Sequence, residues 1–223
     1  MGASGGSVPS MGDELRTEYH RQLEEIDTAL ARMIVLVEEA IAAASTALFS
    51  SDDEAADVVA QRRTEIRQLH AFLETLVVSQ LVLQAPVAGE LRFLIAVLRI
   101  VPEVELTAAL AGDIGRRGSM HIGNELPARI RGLVSELFTR VQEMWRGVAD
   151  AYHDRTPDVR VRLEAEDEEV DELHASLMAE LASGVLRPPV LVEMALVARF
   201  LERVGGHAVE VGRWVESFSG DRS

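Results

Sequence analysis

Two stretches of the chain repeat the same pattern 104 positions apart, at residues 64–73 and 168–177. The residue types that recur in register are Glu, Leu, His, Ala and Leu. A repeat of this length corresponds to a whole supersecondary unit rather than to one blade of a solenoid. The sequence therefore predicts two similar halves, and each functional residue in one half can be compared with its counterpart in the other.

The pattern within each half is helical. Apolar residues recur every three to four positions from Leu23 to Leu48, which is the period of an amphipathic helix. Few aromatic residues and plentiful Ala, Leu, Val, Glu and Arg also favour helices. We expect an all-α fold of two tandem three-helix bundles, with six long antiparallel helices at about 13–49, 53–85, 87–114, 128–152, 158–181 and 190–218.

Polar clusters and prolines mark the ends of these elements. Residues 50–53, SSDD, predict a helix N-cap, and Pro86 predicts that the second helix ends before it. Pro102 lies inside the third helix and predicts a kink or a break. Residues 115–127 resemble a loop. The expected organisation is a tail or cloning remnant at 1–12, a first repeat at 13–118, a linker at 119–127, a second repeat at 128–218 and a tail at 219–223.

Composition excludes several classes of function. The net charge of −15 argues against binding to nucleic acids or anionic membranes, which attract positive surfaces. Cysteine is absent, so disulfides, thiol nucleophiles and thiolate metal sites are excluded. The most apolar region, residues 76–101, is interrupted by Pro86 and by charged residues, and we expect no membrane-spanning segment. No Ser/His/Asp set or phosphate-binding loop is recognisable, which predicts a protein that is not an enzyme.

Two segments carry a resemblance to a known family. Residues 83–92, LQAPVAGELR, resemble the Gln-Pro-Val-Ala-x-Asp-Leu-Arg turn of the PhoU family. Residues 198–209, ARFLERVGGHAV, resemble the Ala-Arg-x-Leu-Glu-Arg-Ile-Gly-Asp-His-Ala signature of the same family. Both matches fall at the expected places in a duplicated three-helix plan that covers nearly the whole chain, and the sequence is similar in character to actinobacterial members.

The resemblance implies a cytoplasmic, non-enzymatic negative regulator of phosphate uptake and phosphate signalling. Such a protein would bridge the ATPase subunit of the phosphate ABC transporter and a sensor histidine kinase, and it would be a homodimer. From the family turn we carry over Gln84 and Arg92 as candidate partner-binding residues. The resemblance also implies iron or zinc in some members, held by Glu/Asp-x-x-x-Asp pairs on the second and third helices of each repeat.

The second repeat keeps part of this metal pattern. Asp167 and Asp171 are one helical turn apart and present oxygen ligands on one face, and His174 adds a nitrogen donor. On the third helix Glu202 is present, but Gly206 stands where an aspartate is expected. The candidate ligands of iron or zinc are therefore Asp167, Asp171 and Glu202, with His174 as an additional one.

The first repeat has lost the pattern. Arg63 and Arg67 stand at the positions of the two aspartates, and Glu105 is followed by Ala109 on the third helix. Electrostatics favours an Arg–Glu network here and opposes a bound cation. We predict that the first repeat binds no metal.

Plainer interpretations stay open for these residues. The acidic run at 166–172 is also typical of a solvated helix face, and His70 and His174 are also typical of packed or capping histidines. The function has a corresponding alternative, a metal-binding carboxylate bundle centred on the second repeat. A structural dimer or chaperone-like scaffold is the third possibility.

Overall fold

Six long helices form the part of the chain that the computed structural model describes, residues 11–219 without Pro157. The helices are α1 (Met11–Ser50), α2 (Asp53–Leu83), α3 (Ala88–Gly118), α4 (Ala128–Asp154), α5 (Val159–Leu181) and α6 (Pro188–Ser219). A 3-10 turn, Ile122–Glu125, joins α3 to α4. No strand occurs among the described residues, and the predicted all-α fold of two three-helix units is confirmed. Of the two predicted tails, residues 1–10 and 220–223 lie outside the described residues.

Each half forms its own three-helix bundle, and the halves meet along two helix pairs. Helices α1, α2 and α3 pack on one another, as do α4, α5 and α6, while α1 contacts α4 and α3 contacts α6. Tyr152 of α4 donates to Asp27 of α1, whereas Arg146, earlier in α4, pairs with Glu38, later in α1. This order shows that α1 and α4 are antiparallel.

The buried positions reproduce the repeat of the sequence. In α1 and α4, and in α2 and α5, buried residues recur 104 positions apart. The pairs in α2 and α5 are Ala55/Val159, Val59/Leu163, Ile66/Val170, Leu73/Leu177 and Val77/Leu181. In α3 and α6 the corresponding shift is 97 positions, as in Val97/Met194, Ile100/Val197 and Val104/Leu201. The α5–α6 hairpin is therefore seven residues shorter than the α2–α3 hairpin. Seven residues are about two helical turns, so both hairpins keep the same faces buried.

The predicted helix ends agree with the structure except at α3. Asp52 caps α2 by accepting a hydrogen bond from the backbone N–H of Ala55 at 3.2 Å, and α2 ends at Leu83, before Pro86. The prediction of a loop from residue 115 was wrong, because α3 continues to Gly118. A Cβ at Gly118 would overlap the carbonyl group of Ala47 on α1. Helix α3 thus ends at a close contact with the backbone of α1 that only glycine permits.

The break predicted at Pro102 does not occur. Helix α3 is continuous from Ala88 to Gly118 and contains Pro102 on its exposed side. The neighbours of the proline, Val101 and Val104, are buried in the core. Their burial offsets the loss of one hydrogen bond at the proline.

Helix α1 is the central element of the first half. By length and composition, its segment Arg16–Ser50 is the one helix among the described residues that could cross a membrane. Half of its most apolar window is buried inside the protein, where α2, α3 and α4 pack against it. This burial is typical of the core helix of a bundle.

Candidate functional site

The carboxylates of α5 interrupt the apolar seam with which this helix packs. Leu163, Val170 and Leu177 are buried at intervals of seven residues on one face of α5, and polar residues lie between them on the same face. These polar residues are Asp167 and His174, both half-buried. The counterparts in α2 are Arg63 and His70, also half-buried. In both repeats a polar strip is therefore set into the contact between the second and third helices.

Asp167 lies against α6 at a glycine. A Cβ at Gly205 would lie only 2.9 Å from Oδ1 of Asp167, so the lack of a side chain there makes room for the carboxylate. Desolvation by burial, together with the negative charges of Asp171 and Glu202, raises the pKa of Asp167 to about 6. The three predicted carboxylates are therefore close enough to influence one another.

Several of these side chains are engaged in ways that do not favour a metal. Glu202 accepts from Arg199 at 2.7 Å, and Glu210, one turn beyond Gly206, pairs with Arg213 at 3.3 Å. Across residues 11–219 without Pro157, no group of three or more His, Asp or Glu is arranged to hold a metal ion. The donors of the second repeat thus do not fit a complete metal centre in this conformation.

The first repeat replaces the carboxylates with guanidinium groups. Arg67 lies 3.7 Å from Glu105, and Nδ1 of His70 contacts the other oxygen of the same carboxylate. The Arg–Glu contact expected from the sequence is therefore present. Arg63 packs its aliphatic stem on Gly112, with its Cδ 3.4 Å from the position of a Cβ there, and its Nε is buried without a hydrogen-bond partner. A cation at this place would face two fixed positive charges.

The candidate partner-binding residues Gln84 and Arg92 both lie exposed at the elbow between α2 and α3. Gln84 is the C-cap of α2, and its backbone N–H donates to the carbonyl of Gln80 at 3.1 Å. Ala85 follows with a positive φ of 43°, which turns the chain toward Pro86. Leu83 and Val87 are each 71 % exposed beside them, so the elbow presents an apolar tip.

Sequence reasoning missed the polar contacts that join the two halves. His207 of α6 contacts Glu103 of α3 at 2.5 Å, and Arg117 of α3 donates to Glu193 of α6 at 2.7 Å. These pairs show that α3 and α6 are antiparallel. No local sequence pattern predicts either pair, because the partners are far apart in the chain and belong to different repeats.

A cavity of about 510 Å³ lies at the end of this junction, near the α2–α3 elbow. Its wall includes Asp27 and Arg155, which form an ion pair. The guanidinium of Arg155 also lies 4.9 Å from the ring centre of Phe218 and 4.6 Å from that of Tyr152. Arg155 is thus paired with Asp27 through Nη2 and lies against aromatic rings, while its Nη1 is buried without a hydrogen-bond partner.

A family model described as the PhoU domain matches residues 30–118 and 134–215. The chain belongs to the PhoU family. Each match covers one three-helix unit, in agreement with the repeat of buried positions. The resemblance stated from residues 83–92 and 198–209 is thereby confirmed.

Curated relatives and solved structures agree with this assignment. The chain is 32 % identical over 206 residues to a Mycobacterium tuberculosis protein named phosphate-specific transport system accessory protein PhoU homolog 2, covering 90 % of this chain and 96 % of that protein. It is 32 % identical over 207 residues to PhoU homolog 1 of Mycobacterium leprae, covering 90 % and 92 %. The PhoU structure from Pseudomonas aeruginosa has a TM-score of 0.81 at 25 % identity and covers 88 % of this chain and 96 % of its own. The PhoU structure from Streptococcus pneumoniae, at 17 % identity and a TM-score of 0.78, supports the fold alone.

Proposed function

We propose that this protein is a cytoplasmic, non-enzymatic accessory regulator of phosphate uptake. The observation that carries the proposal is the match of both three-helix units to the PhoU domain, together with relatives named as accessory proteins of a phosphate-specific transport system. A rigid helical bundle acts on a transporter by docking on it, because its helix faces provide complementary surfaces and its charges steer the encounter.

The finer proposal is negative regulation through two partners. The protein binds the ATPase subunit of the phosphate transporter and a sensor histidine kinase, and so holds the kinase in its inactive or phosphatase state when phosphate is plentiful. The exposed elbow with Gln84 and Arg92 is proposed as one contact, since its apolar residues Leu83 and Val87 are exposed to solvent. The protein acts in this scheme as a homodimer.

Deletion of the gene tests the regulatory role. We expect a phosphate-responsive reporter to become active in high phosphate, and a plasmid copy of the wild-type chain to restore repression. In strains that lack any second homologue, unchanged repression after deletion would refute negative regulation. Restoration by Gln84→Ala/Leu83→Ser at wild-type level would refute the role of the elbow but leave the regulatory proposal in place.

The second candidate function is a metal-binding carboxylate bundle, and the electrostatic influence of Asp171 and Glu202 on Asp167 favours it, although the described residues contain no group of three or more donors arranged to hold a metal ion. Burial is the main cause of the raised pKa of Asp167, and repulsion from Asp171 and Glu202, which a divalent cation would relieve, adds to it. Glu202 would have to leave Arg199 to take part. Elemental analysis of protein purified without chelators tests this function. Stoichiometric iron or zinc that is lost in Asp167→Ala/Asp171→Ala supports it, and metal-free folded protein removes it.

A further inference from the structure

The cavity of about 510 Å³ at the end of the α3–α6 junction has the size of a small-molecule site. Helices α1 and α3 line it from the first half, and Arg155, which follows α4, and the last turn of α6 line it from the second half. Concave sites of about 300–1,000 Å³ with an apolar wall and a few polar groups are typical of small-ligand binding. A ligand in this cavity would contact both three-helix units at once.

Part of the cavity wall is apolar. Leu23 of α1, Phe93 of α3 and Phe218 of α6 contribute to it. The rings of Phe93 and Phe218 meet edge to face, with their centres 5.4 Å apart, and this contact holds both rings in place. The wall can therefore bury the carbon chain of a ligand and gain the free energy of removing it from water.

The charged part of the wall carries more carboxylates than cations. It contains Glu24, Asp27 and Glu90 but only one guanidinium, that of Arg155. Asp27 is balanced by its ion pair with Arg155. Glu24 forms no hydrogen bond or ion pair with any described residue, and Glu90 accepts a hydrogen bond from the hydroxyl of Tyr19 at 2.9 Å without pairing with a described cation. Two negative charges of the wall are therefore uncompensated.

His20 is the remaining titratable group of the wall. Its ring is exposed and is counted as neutral at pH 7, so it does not offset the two carboxylates. The field inside the cavity therefore favours a positive charge, and the partial exclusion of water from a concave site makes that attraction stronger than it is on an open surface.

We propose that this cavity binds a small organic cation, an ammonium or guanidinium group on a short apolar chain. An anion would face the two uncompensated carboxylates, and Arg155 offers it little, because Nη2 binds Asp27 and Nη1 is buried. A metal ion is not the expected ligand, since no group of three or more His, Asp or Glu among the described residues is arranged to hold one.

The protein already holds one guanidinium at this place in the same way. Arg155 pairs with the carboxylate of Asp27, and its guanidinium lies 4.9 Å from the ring centre of Phe218. A carboxylate and an aromatic face together are a common recognition site for such a group. Glu24 and Glu90 provide carboxylates for a second cation, and Phe93 provides an aromatic ring beside them.

The inference goes beyond the proposed function and does not depend on it. Its test uses the full chain and agmatine as the probe, a short aliphatic chain with an ammonium group at one end and a guanidinium group at the other. Glutarate, a dicarboxylate of similar length, is the control ligand. Binding is followed by two-dimensional ¹H–¹⁵N NMR at pH about 7.5 and low salt, so that the charges are little screened.

The variant Glu24→Gln/Glu90→Gln removes the two uncompensated charges and keeps the shape of both side chains. The control Glu25→Gln/Glu74→Gln changes the net charge by the same amount at carboxylates of α1 and α2 that do not line the cavity. The pair of variants thus separates binding in the cavity from general attraction to an acidic protein.

We expect agmatine to bind the wild type with a dissociation constant of about 0.1–1 mM, which is reasonable for a ligand of this size. The largest shifts should fall on backbone amides of residues 20–27 and 89–93. The cavity variant should bind about 10-fold more weakly, and the control variant should stay within about twofold of wild type. Circular dichroism establishes that both variants are folded. Glu24→Gln alone, at an exposed position, is a milder variant with an expected loss of about threefold.

Three outcomes would overturn the proposal. The first is the absence of shifts at up to about 20 mM agmatine, a concentration well above the expected dissociation constant. The second is equal binding by wild type, cavity variant and control variant, which would show attraction to the acidic surface in general. The third is binding of glutarate in the cavity at least as tight as that of agmatine, which would show that the site selects the opposite charge.

Discussion

Replacing Asp167 by Asn should stabilise the fold at neutral pH but not at acidic pH. Burial and the neighbouring carboxylates raise the pKa of Asp167 from 3.8 to about 6 in the folded state. A raised pKa means that the folded protein holds this proton more tightly than the unfolded chain. The free energy of unfolding is therefore unaffected by this group below pH about 4, and it falls as the pH rises through about 6. Asparagine has a similar shape but no charge, so the variant escapes this loss.

The size of the effect follows from the pKa and the exposure of the group. One pKa unit corresponds to about 1.4 kcal/mol, so a rise from 3.8 to about 6 sets a ceiling of about 3 kcal/mol. Asp167 is only half-buried, and solvent screening reduces the contribution to about 1–2 kcal/mol. Gly205 leaves the space that the carboxylate occupies, and the amide fits the same space.

Urea unfolding followed by circular dichroism at pH about 4 and about 7.5 measures the effect. We expect Asp167→Asn to match wild type at the lower pH and to exceed it by about 1–2 kcal/mol at the higher pH. The matched control is Glu168→Gln, which neutralises the adjacent, exposed carboxylate of the same helix and should change stability by less than about 0.5 kcal/mol. The reasoning is refuted if Asp167→Asn is no more stable than wild type at pH about 7.5, or if its advantage is the same at both pH values.

Three further predictions concern stability and titration. Gly118→Ala should destabilise the fold by about 2–4 kcal/mol in urea unfolding, because the new Cβ would meet the backbone of α1, which cannot move away. The control Gly132→Ala, where nothing lies within 4 Å of the new Cβ, should instead stabilise the fold by about 0.5–1 kcal/mol. Equal effects of the two substitutions would contradict the close contact at Gly118. Trp145→Phe should cost about 1–3 kcal/mol, because it removes the hydrogen bond that the buried indole N–H donates to the carbonyl of Val204 at 3.0 Å and leaves a cavity beside the smaller ring. A loss below about 0.5 kcal/mol would show that neither the bond nor the packing contributes. Burial raises the pKa of Tyr19 to about 12 and that of Tyr152, the other tyrosine of the chain, still further. Absorbance at 295 nm should therefore show almost no phenolate at pH about 10.5 in the folded protein and substantial phenolate after unfolding. Substantial phenolate in the folded state would contradict the burial.

The sequence predicted the helices because the signals for helices are local. The spacing of apolar residues, the N-cap at Asp52 and the proline after α2 act within a few residues of one another. The exception is α3, which does not break at Pro102 and which continues past the predicted loop start at residue 115 to Gly118. Packing of Val101 and Val104 keeps the helix continuous at the proline, and a close approach to α1 explains the glycine. Both causes are tertiary contacts that no short window of sequence contains.

The candidate site was partly predictable for the same reason. The repeat aligned Arg67 with Asp171, and adjacent helices of one hairpin then brought Arg67 to Glu105 as expected. The pair Glu103–His207 required knowledge of how α3 packs on α6. Contacts between repeats depend on the antiparallel register of two distant helices, which no repeat comparison supplies.

The seven-residue difference between the hairpins gives the two halves different tips. Between Val77 and Val97 the chain has seven more residues than between the equivalent Leu181 and Met194. Divided over two antiparallel helices, this is about one turn each, so the α2–α3 elbow extends about 5 Å farther than its counterpart. The residues at that longer tip include Val82, which is 74 % exposed because no neighbouring helix reaches it. The core is symmetric where both halves bury the same positions, and the asymmetry lies in the elbow and in the charge of the polar strip. A partner that binds one half need not bind the other, and a bundle of two similar halves can therefore contact two different proteins.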